Sequence, residues 1–420
     1  MRSPAQPAGS IGSLAPPTSP SVLFVVVAGA AFGIYWLSSI ILAARGATTN
    51  FGADSQHYTV LVEGQIVGRM ARFHPVTVAS ALAWLKILNP LTLWIAPHHL
   101  LKAMFAAIGA LGVAAAMWAF AAVVPRRHVL VCGLIYASSF GVWYFSSIEE
   151  SKIVTASLSA LYIAIYLHLR EHWSRRGVVL LTAILLLACL NEIVAGFLLI
   201  VPIVDTLARR GWDWRHGRWI AVHGLVGPVA LLILEFIVNG RLVASDINPE
   251  SASQVSHLLF YLSRNDYSAA NLYAFAVRWL FFNIAAPSPV ATYGAAPWLG
   301  YRGDFAPVLA NYLTSPLSAG LVALAGAMIV VSMLRRYRAG SLGHSAGLLA
   351  ALTAYAFVRG AFFLIYLPGE PLINSPAVAP AHLLIVLIPF TASRFPAKQT
   401  VLVAFAVLLF LSNGMFVISQ

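Results

Sequence analysis

Long apolar runs dominate this chain and restrict what it can fold into. Each run is roughly 15 to 25 residues long, which is the length that an α-helix needs to cross a bilayer. Charged or Pro- and Gly-rich breaks separate the runs. The pattern predicts an all-α polytopic membrane protein with about eleven transmembrane helices. The predicted spans are 21–44, 100–124, 129–146, 153–169, 177–190, 193–208, 218–238, 316–334, 345–366, 377–392 and 399–418.

Composition and charge exclude several classes of protein. Hydrophobic residues make up 60% of the chain and charged residues only 10%, so the chain is too apolar for a soluble globule. The net charge of +12 does not indicate a nucleic-acid partner, because the basic residues stand at helix ends rather than on one soluble face. Alternate breaks are basic, which is the positive-inside pattern and predicts a cytoplasmic N-terminus. These breaks are 125–128, 170–176, 209–218, 335–338 and 394–398.

Composition also divides the chain into parts. Residues 1–20 are rich in Pro and small residues and predict a disordered cytoplasmic tail. We expect residues 21–238 to form a membrane module, 239–315 an extracytoplasmic loop with interfacial helices, and 316–420 the C-terminal membrane helices. Residues 76–96 are apolar but flanked by prolines, which favours a helix lying in the outer interface over a full span.

An aspartate stands shortly after the first predicted span, on the predicted outer side. Asp54 precedes a helical pattern that begins near Tyr58, so Asp54 could be the N-cap of an interfacial helix. The alternative is a general base at the water–lipid boundary, where desolvation and a nearby cation set its basicity. The sequence leaves both interpretations open, and Tyr58 is included in the candidate site.

The turn 146–152, SSIEESK, brings two carboxylates and a lysine to the outer ends of the third and fourth spans. Acids at a helix N-terminus complement its dipole, which is one interpretation of Glu149 and Glu150. A pair of acids beside the bilayer is costlier than a cap requires, so one of them could orient an acceptor or hold a cation. Lys152 could meet a phosphate.

Four arginines stand in the long outer segment 239–315, and three of them are phosphate-binding candidates, Arg264, Arg278 and Arg302. Arginines among interfacial aromatics are ordinary belt residues, and this is the simpler interpretation. A lipid phosphate at the membrane surface nevertheless needs a donor of this type, because the guanidinium fork matches phosphate oxygens.

Other polar residues have simpler interpretations. His74 precedes Pro75 and marks a helix start, and a single histidine without spaced partners does not indicate a metal site. Glu235 and Arg359 both fall within predicted spans, and a structural ion pair between these two residues is the expected explanation.

The order of these features resembles the GT-C glycosyltransferases. The residues Gly52-Ala53-Asp54-Ser55, followed by Phe73-His74-Pro75, are similar to the "GDS…HPP" pattern of bacterial multi-pass relatives of protein O-mannosyltransferases. The stretch from Tyr144 to Arg170 is similar to that family's fourth-span signature, in which a Glu follows the third span. The resemblance covers roughly residues 20–235.

The resemblance implies an inverting transfer of a sugar from a polyprenyl-phosphate donor to an acceptor hydroxyl. It places the reaction on the extracytoplasmic face of a plasma membrane, and a bacterial inner membrane is the expected one. It implies Asp54 as the catalytic base. The donor and acceptor would lie against His74, Glu149, Glu150 and Tyr58, and the phosphate against Lys152, Arg264, Arg278 or Arg302. No cofactor is required, because a cation suffices to neutralise the leaving phosphate; a divalent metal is compatible with the site but not indicated.

The expected partners are the polyprenyl-phosphate-linked sugar, membrane lipids, and an acceptor that is a protein, a glycan or a lipid. Two other functions remain as alternatives. A lipid or small-solute transporter would place polar residues in mid-membrane and often contains repeated halves, whereas the acids of this chain crowd one predicted surface. A non-catalytic membrane scaffold would keep the helices and lack the base.

Overall fold

In the structure, a computed structural model, helices are the only regular secondary structure in the part of the chain that is described. The described residues are 22–45, 58, 60–63, 74–92, 94–211, 214–239, 267–286, 312–313, 315–338, 345–366 and 374–419. No strand occurs in these ranges, which confirms the all-α prediction.

Fifteen α-helices account for most of this part of the chain. The helices that precede residue 192 are α1 (Val22–Ala44), α2 (Pro75–Leu88), α3 (Pro97–Val123), α4 (Arg126–Ser138), α5 (Phe140–Ser146), α6 (Lys152–Leu169) and α7 (Arg175–Asn191). The later ones are α8 (Ile200–Arg210), α9 (Trp214–Gly224), α10 (Val226–Asn239), α11 (Ala269–Val277), α12 (Pro316–Arg338), α13 (Ser345–Tyr366), α14 (Ala379–Thr391) and α15 (Lys398–Ser419). Short 3-10 helices cover Val60–Glu63, Ile193–Leu199 and Pro376–Val378, and a π-helical turn covers Arg278–Phe282.

Six of these helices are long and apolar enough to cross a membrane, namely α1, α3, α6, α12, α13 and α15. The bent pair α4 and α5 would make a seventh. By helix length and composition the protein is therefore a multi-pass membrane protein. The described residues do not confirm the larger predicted number of about eleven spans. The predicted run 193–208 is divided between a 3-10 helix and α8, and the run 218–238 is divided between α9 and α10.

Helix α3 lies at the centre of the bundle and packs most extensively against α6 and α1. Close packing depends on two of its glycines. A Cβ atom on Gly109 would lie 1.9 Å from Ser146 Oγ, and one on Gly112 would lie 2.4 Å from Ser157 Oγ. Small residues allow membrane helices to approach closely, and here they bring the end of α5 and the second turn of α6 against the middle of α3.

A break between α4 and α5 bends the chain by 59°. The backbone groups that the break exposes are satisfied from elsewhere in the bundle, as an apolar environment requires. The Asn413 amide donates to the Ser138 carbonyl at 2.6 Å, and its Oδ1 accepts from the Ala286 backbone N–H at 2.7 Å. The first N–H groups of α5 donate to carbonyls in 283–284. The bend is thus fixed by α15 and by the segment after the π-helical turn.

Helix α2 begins at Pro75 and ends before Asn89, so the helix that the His-Pro signal predicted is present and is shorter than a full span. Trp84 Nε1 donates to the Leu100 carbonyl at 2.8 Å and joins α2 to the first turn of α3. This contact holds the last turns of α2 against α3.

Candidate functional site

The acidic turn between α5 and α6 is buried. Glu149 is 0% exposed and Glu150 is 2% exposed. The Lys102 ammonium lies 2.9 Å from Glu149 Oε1, and Ser151 Oγ donates to Glu150 Oε1 at 3.1 Å. A buried carboxylate is strongly disfavoured without a counter-charge, and Lys102, in the second turn of α3, supplies it for Glu149.

Lys102 was missed by the sequence analysis. The only signal was a single lysine near the start of an otherwise apolar 27-residue helix. His98 and His99 precede it, with their Nε2 atoms 3.1 Å apart, and His99 lies near enough to Lys102 and Glu149 for their charges to act on it. The N-terminal end of α3 therefore contributes basic side chains beside the acidic turn.

Asn191, the last residue of α7, joins three separate segments. Its Oδ1 accepts from the backbone N–H of Thr77 at 3.0 Å and from the Thr77 hydroxyl at 2.7 Å. Its Nδ2 donates to the Ser151 carbonyl at 3.2 Å and to Thr155 Oγ1 at 3.0 Å. The His74 ring, through Nδ1, donates to the Asn191 carbonyl at 2.7 Å. Through Asn191, the start of α2 is therefore tied to the acidic turn and to α6.

Glu192 follows Asn191 and pairs with an arginine from α13. Arg359 Nη2 donates to Glu192 Oε1 at 2.5 Å. Burial would raise the pKa of Glu192, but Arg359, Lys152 and His74 lower it to about 2. Glu192 is therefore an ionised, weakly basic carboxylate, unsuited to removing a proton at neutral pH. Arg359 is thus paired with Glu192. The Glu235 side chain lies outside the described part of the structure, so its expected pairing with Arg359 stays a prediction.

Lys152 begins α6 and is half-buried beside Glu192. Within the described ranges no ion pair within 4.0 Å or hydrogen bond is found for its ammonium group. We use the name acidic-turn cluster for the residues that these contacts gather, which are His74, Lys102, Glu149, Glu150, Lys152, Asn191, Glu192 and Arg359.

The remaining predicted site residues have different placements. Tyr58 is fully buried and meets Phe105 edge to face, with ring centroids 5.8 Å apart. Arg278 is only 4% exposed, so it is not the surface arginine that the belt interpretation predicted; it belongs to the π-helical turn. Asp54, Arg264 and Arg302 lie outside the described residues.

A second charged cluster occupies the opposite end of α6. The Arg170 guanidinium binds both carboxylate oxygens of Asp205, at 2.7 and 2.8 Å. Asp205 Oδ2 also accepts from the Tyr166 hydroxyl at 2.6 Å and from Arg209 Nε at 3.1 Å. Because Asp205 is fully buried and multiply bonded, this cluster is a structural clamp between α6 and α8. The sequence indicated only that these residues share the predicted cytoplasmic side.

Comparison with protein-family models, with curated proteins and with solved structures finds no match for this chain. Within the described residues, no group of three or more His, Cys, Asp or Glu side chains could hold a metal ion. The functional assignment therefore depends on the residues themselves and on the resemblance that they carry.

Proposed function

We propose that this protein is an inverting glycosyltransferase that moves a sugar from a polyprenyl-phosphate donor to an acceptor hydroxyl. The reaction would take place at the extracytoplasmic face of the membrane, with the N-terminus in the cytoplasm. The observation that supports the proposal most is the junction at Asn191. It joins His74, from one segment of the GT-C-like pattern, to the turn that contains Glu149 and Glu150, from the other segment.

The chemistry of the cluster is compatible with such a transfer. Lys152 supplies a half-buried cation without an ion pair in the described structure, which suits a lipid phosphate that leaves as the sugar is transferred. Glu192 and Glu149 already have counter-charges in Arg359 and Lys102. The Glu192 carboxylate, whose pKa Arg359 lowers, is better suited to accepting hydrogen bonds from sugar hydroxyls than to proton transfer.

In the proposed mechanism Asp54 is the base. Its carboxylate would take the proton of the acceptor hydroxyl as the hydroxyl oxygen attacks the anomeric carbon. The bond from that carbon to the phosphate oxygen breaks in the same displacement, and the electron pair leaves with the lipid phosphate. A single displacement inverts the anomeric configuration, so a β-linked donor would give an α-linked product.

Replacement of Asp54 by Asn tests the proposal. Asn caps a helix about as well as Asp but accepts no proton at neutral pH, so transfer should fall by roughly 100-fold or more. Expression and melting temperature should stay near wild type. Gln56→Glu, in the same loop, serves as a control for altered charge. Retained transfer in the Asp54→Asn variant would remove Asp54 from the mechanism, and absence of transfer in the wild-type protein with several polyprenyl-phosphate sugars would count against the activity itself.

One observation favours the transporter alternative. Arg359 is fully buried about 10 Å from the end of α13, at 1.5 Å per residue. Intramembrane charged residues often mark a solute pathway. The test is to supply the polyprenyl-phosphate sugars to vesicles that contain the purified protein. Their movement across the vesicle membrane without formation of a glycosylated product would support transport over transfer.

A further inference from the structure

Polar atoms without partners lie inside the bundle around Arg359. Its Nε and Nη1 atoms are buried and make no hydrogen bond to any described residue, although the guanidinium lies over the Phe363 ring, with Cζ 5.2 Å from the ring centroid. The Tyr162 hydroxyl and Glu192 Oε2 likewise make no hydrogen bond of ordinary length and angle within the described residues, although Thr155 lies close to the Glu192 carboxylate. Each buried polar group left unsatisfied costs about 1 to 3 kcal/mol, and charged groups cost more. Buried polar groups of this kind usually form hydrogen bonds with a partner outside the polypeptide, such as water or a ligand.

A polar stripe on α6 connects these atoms to the acidic-turn cluster. The stripe consists of Lys152, Thr155, Ser159, Tyr162 and Tyr166. Its spacing of three and four residues places all five side chains on one face of the helix. The stripe is about 21 Å long at the helical rise, and its Lys152 end is half-buried rather than closed. Polar side chains therefore follow one another along α6 from the half-buried Lys152 toward Arg359.

The other walls of this region come from α7 and α13. Cys189, on α7, lies close enough to Arg359, Glu192 and Tyr162 for electrostatic interaction with each of them. Tyr355, one helical turn before Arg359 on α13, faces Ser159 of the stripe. Side chains from three helices thus converge on the unpartnered atoms.

We propose that α6, α7 and α13 enclose a hydrated chamber, lined by Tyr162, Cys189, Glu192 and Arg359, that takes water and small uncharged hydroxyl-bearing ligands. The free guanidinium N–H groups of Arg359 donate, and Glu192 Oε2 accepts. A hydroxyl group does both, so it complements the two residues at once. The charges of Glu192 and Arg359 cancel, and the pair itself requires no further ion. This inference stands whether or not the protein transfers sugars.

The two cysteines of the chain provide a direct test. Cys189 lies in the proposed chamber, and Cys132 lies in α4; both are fully buried. The probe is 2-hydroxyethyl methanethiosulfonate, a small uncharged reagent with a hydroxyl group. The cysteine thiolate attacks its sulfur, a mixed disulfide forms and methanesulfinate leaves. Cys132→Ala leaves only Cys189 to react, and Cys189→Ala leaves only Cys132.

Because the reaction requires hydrated thiolate, we expect Cys189 to react at least about tenfold faster than Cys132 in the folded protein, as measured by intact mass. The neutral reagent also partitions into lipid, and Cys132 corrects for that route. Equal rates, or a faster reaction at Cys132, would overturn the proposal.

A paired replacement tests the role of the unpartnered atoms. Glu192→Leu together with Arg359→Met removes both charges and should lower the rate at Cys189 to near that of Cys132. Glu171→Gln, at the opposite end of α6, should leave the rate unchanged. An unchanged Cys189 rate in a folded double variant, judged by gel filtration and melting temperature, would contradict the proposal. If the double variant does not fold, the comparison of Cys189 with Cys132 still decides the question, and neither readout depends on glycosyl transfer.

Discussion

The Lys102 ammonium and the Glu149 carboxylate form a buried ion pair with a 2.9 Å separation, between the second turn of α3 and the acidic turn. Both side chains are almost fully removed from solvent. A buried pair of this kind is weak evidence for net stabilisation, but the loss of one partner leaves a costly unpaired charge. Lys102 therefore fixes where Glu149 can lie.

Lys102→Met should destabilise the protein by about 3 to 5 kcal/mol, because Glu149 is then left as an uncompensated buried carboxylate. Chemical unfolding in detergent measures this loss. Lys86→Met, on the exposed face of α2, is the matched control and should stay within about 0.5 kcal/mol of wild type. The double variant Lys102→Met with Glu149→Leu should recover most of the stability, and failure to recover it would show that the pair acts through more than its charges.

The sequence predicted the helices well and their interruptions poorly. Apolar runs of membrane-spanning length were enough to locate α1, α3, α6, α12, α13 and α15. The break at Ser139 was not foreseen, because the groups that satisfy its backbone come from Asn413 and from 283–286, far away in the chain. Local periodicity contains no information about such distant hydrogen-bond partners.

The sequence identified several residues of the candidate site but not the hydrogen bonds and ion pairs that connect them. His74, Glu149, Glu150 and Lys152 stood out because each is polar beside an apolar run. Asn191 and Lys102, which position two of them, did not, since a lone amide or lysine near a helix end has many ordinary explanations. The partner of Arg359 also depended on which helix faces α13, and this is settled by packing rather than by spacing along the chain.

Gly141→Ala should destabilise the bend between α4 and α5 by about 1 to 3 kcal/mol. A Cβ atom there would lie 2.0 Å from Asn283 Oδ1 and 3.3 Å from the Asn283 carbonyl oxygen, so both the side chain and the backbone would have to move. Gly326→Ala, in α12, meets open space and should be neutral or slightly stabilising. Equal melting temperatures for the two variants would show that the contact at Gly141 is not restrictive.

Asn191→Asp removes both amide donors while it keeps the shape of the side chain. The Ser151 carbonyl and the Thr155 hydroxyl lose a donor, and a new carboxylate lies beside Glu192. We expect a loss of about 1 to 3 kcal/mol in stability and a larger relative loss of sugar transfer, because α2 and the acidic turn are no longer joined. Asn89→Asp, at the exposed end of α2, should change neither. A variant that loses stability but retains full transfer would reduce Asn191 to a structural role.

Asp205→Asn tests whether the structural clamp contributes to stability without affecting the candidate site. The replacement leaves Arg170 and Arg209 without the carboxylate that both bind, so unfolding should become easier by about 3 to 5 kcal/mol. Glu171→Gln removes the carboxylate from a half-exposed ion pair with Arg209 and should lower the free energy of unfolding by about 1 kcal/mol or less. Transfer per folded molecule should be unchanged in both variants. A specific loss of transfer in folded Asp205→Asn protein would mean that the clamp also influences the acidic-turn cluster.

Lys152→Met tests the proposed phosphate contact. The ammonium group makes no ion pair within the described structure, so its removal should leave the melting temperature near wild type. Its charge is nevertheless the cation best placed to meet a lipid phosphate at the acidic-turn cluster, and affinity for polyprenyl phosphate should fall several-fold or more. Lys152→Arg keeps the charge and should retain most of the affinity, whereas Lys86→Met controls for the loss of an exposed cation. Unchanged affinity in Lys152→Met protein would place the phosphate elsewhere, and Arg278 would then be the next residue to replace.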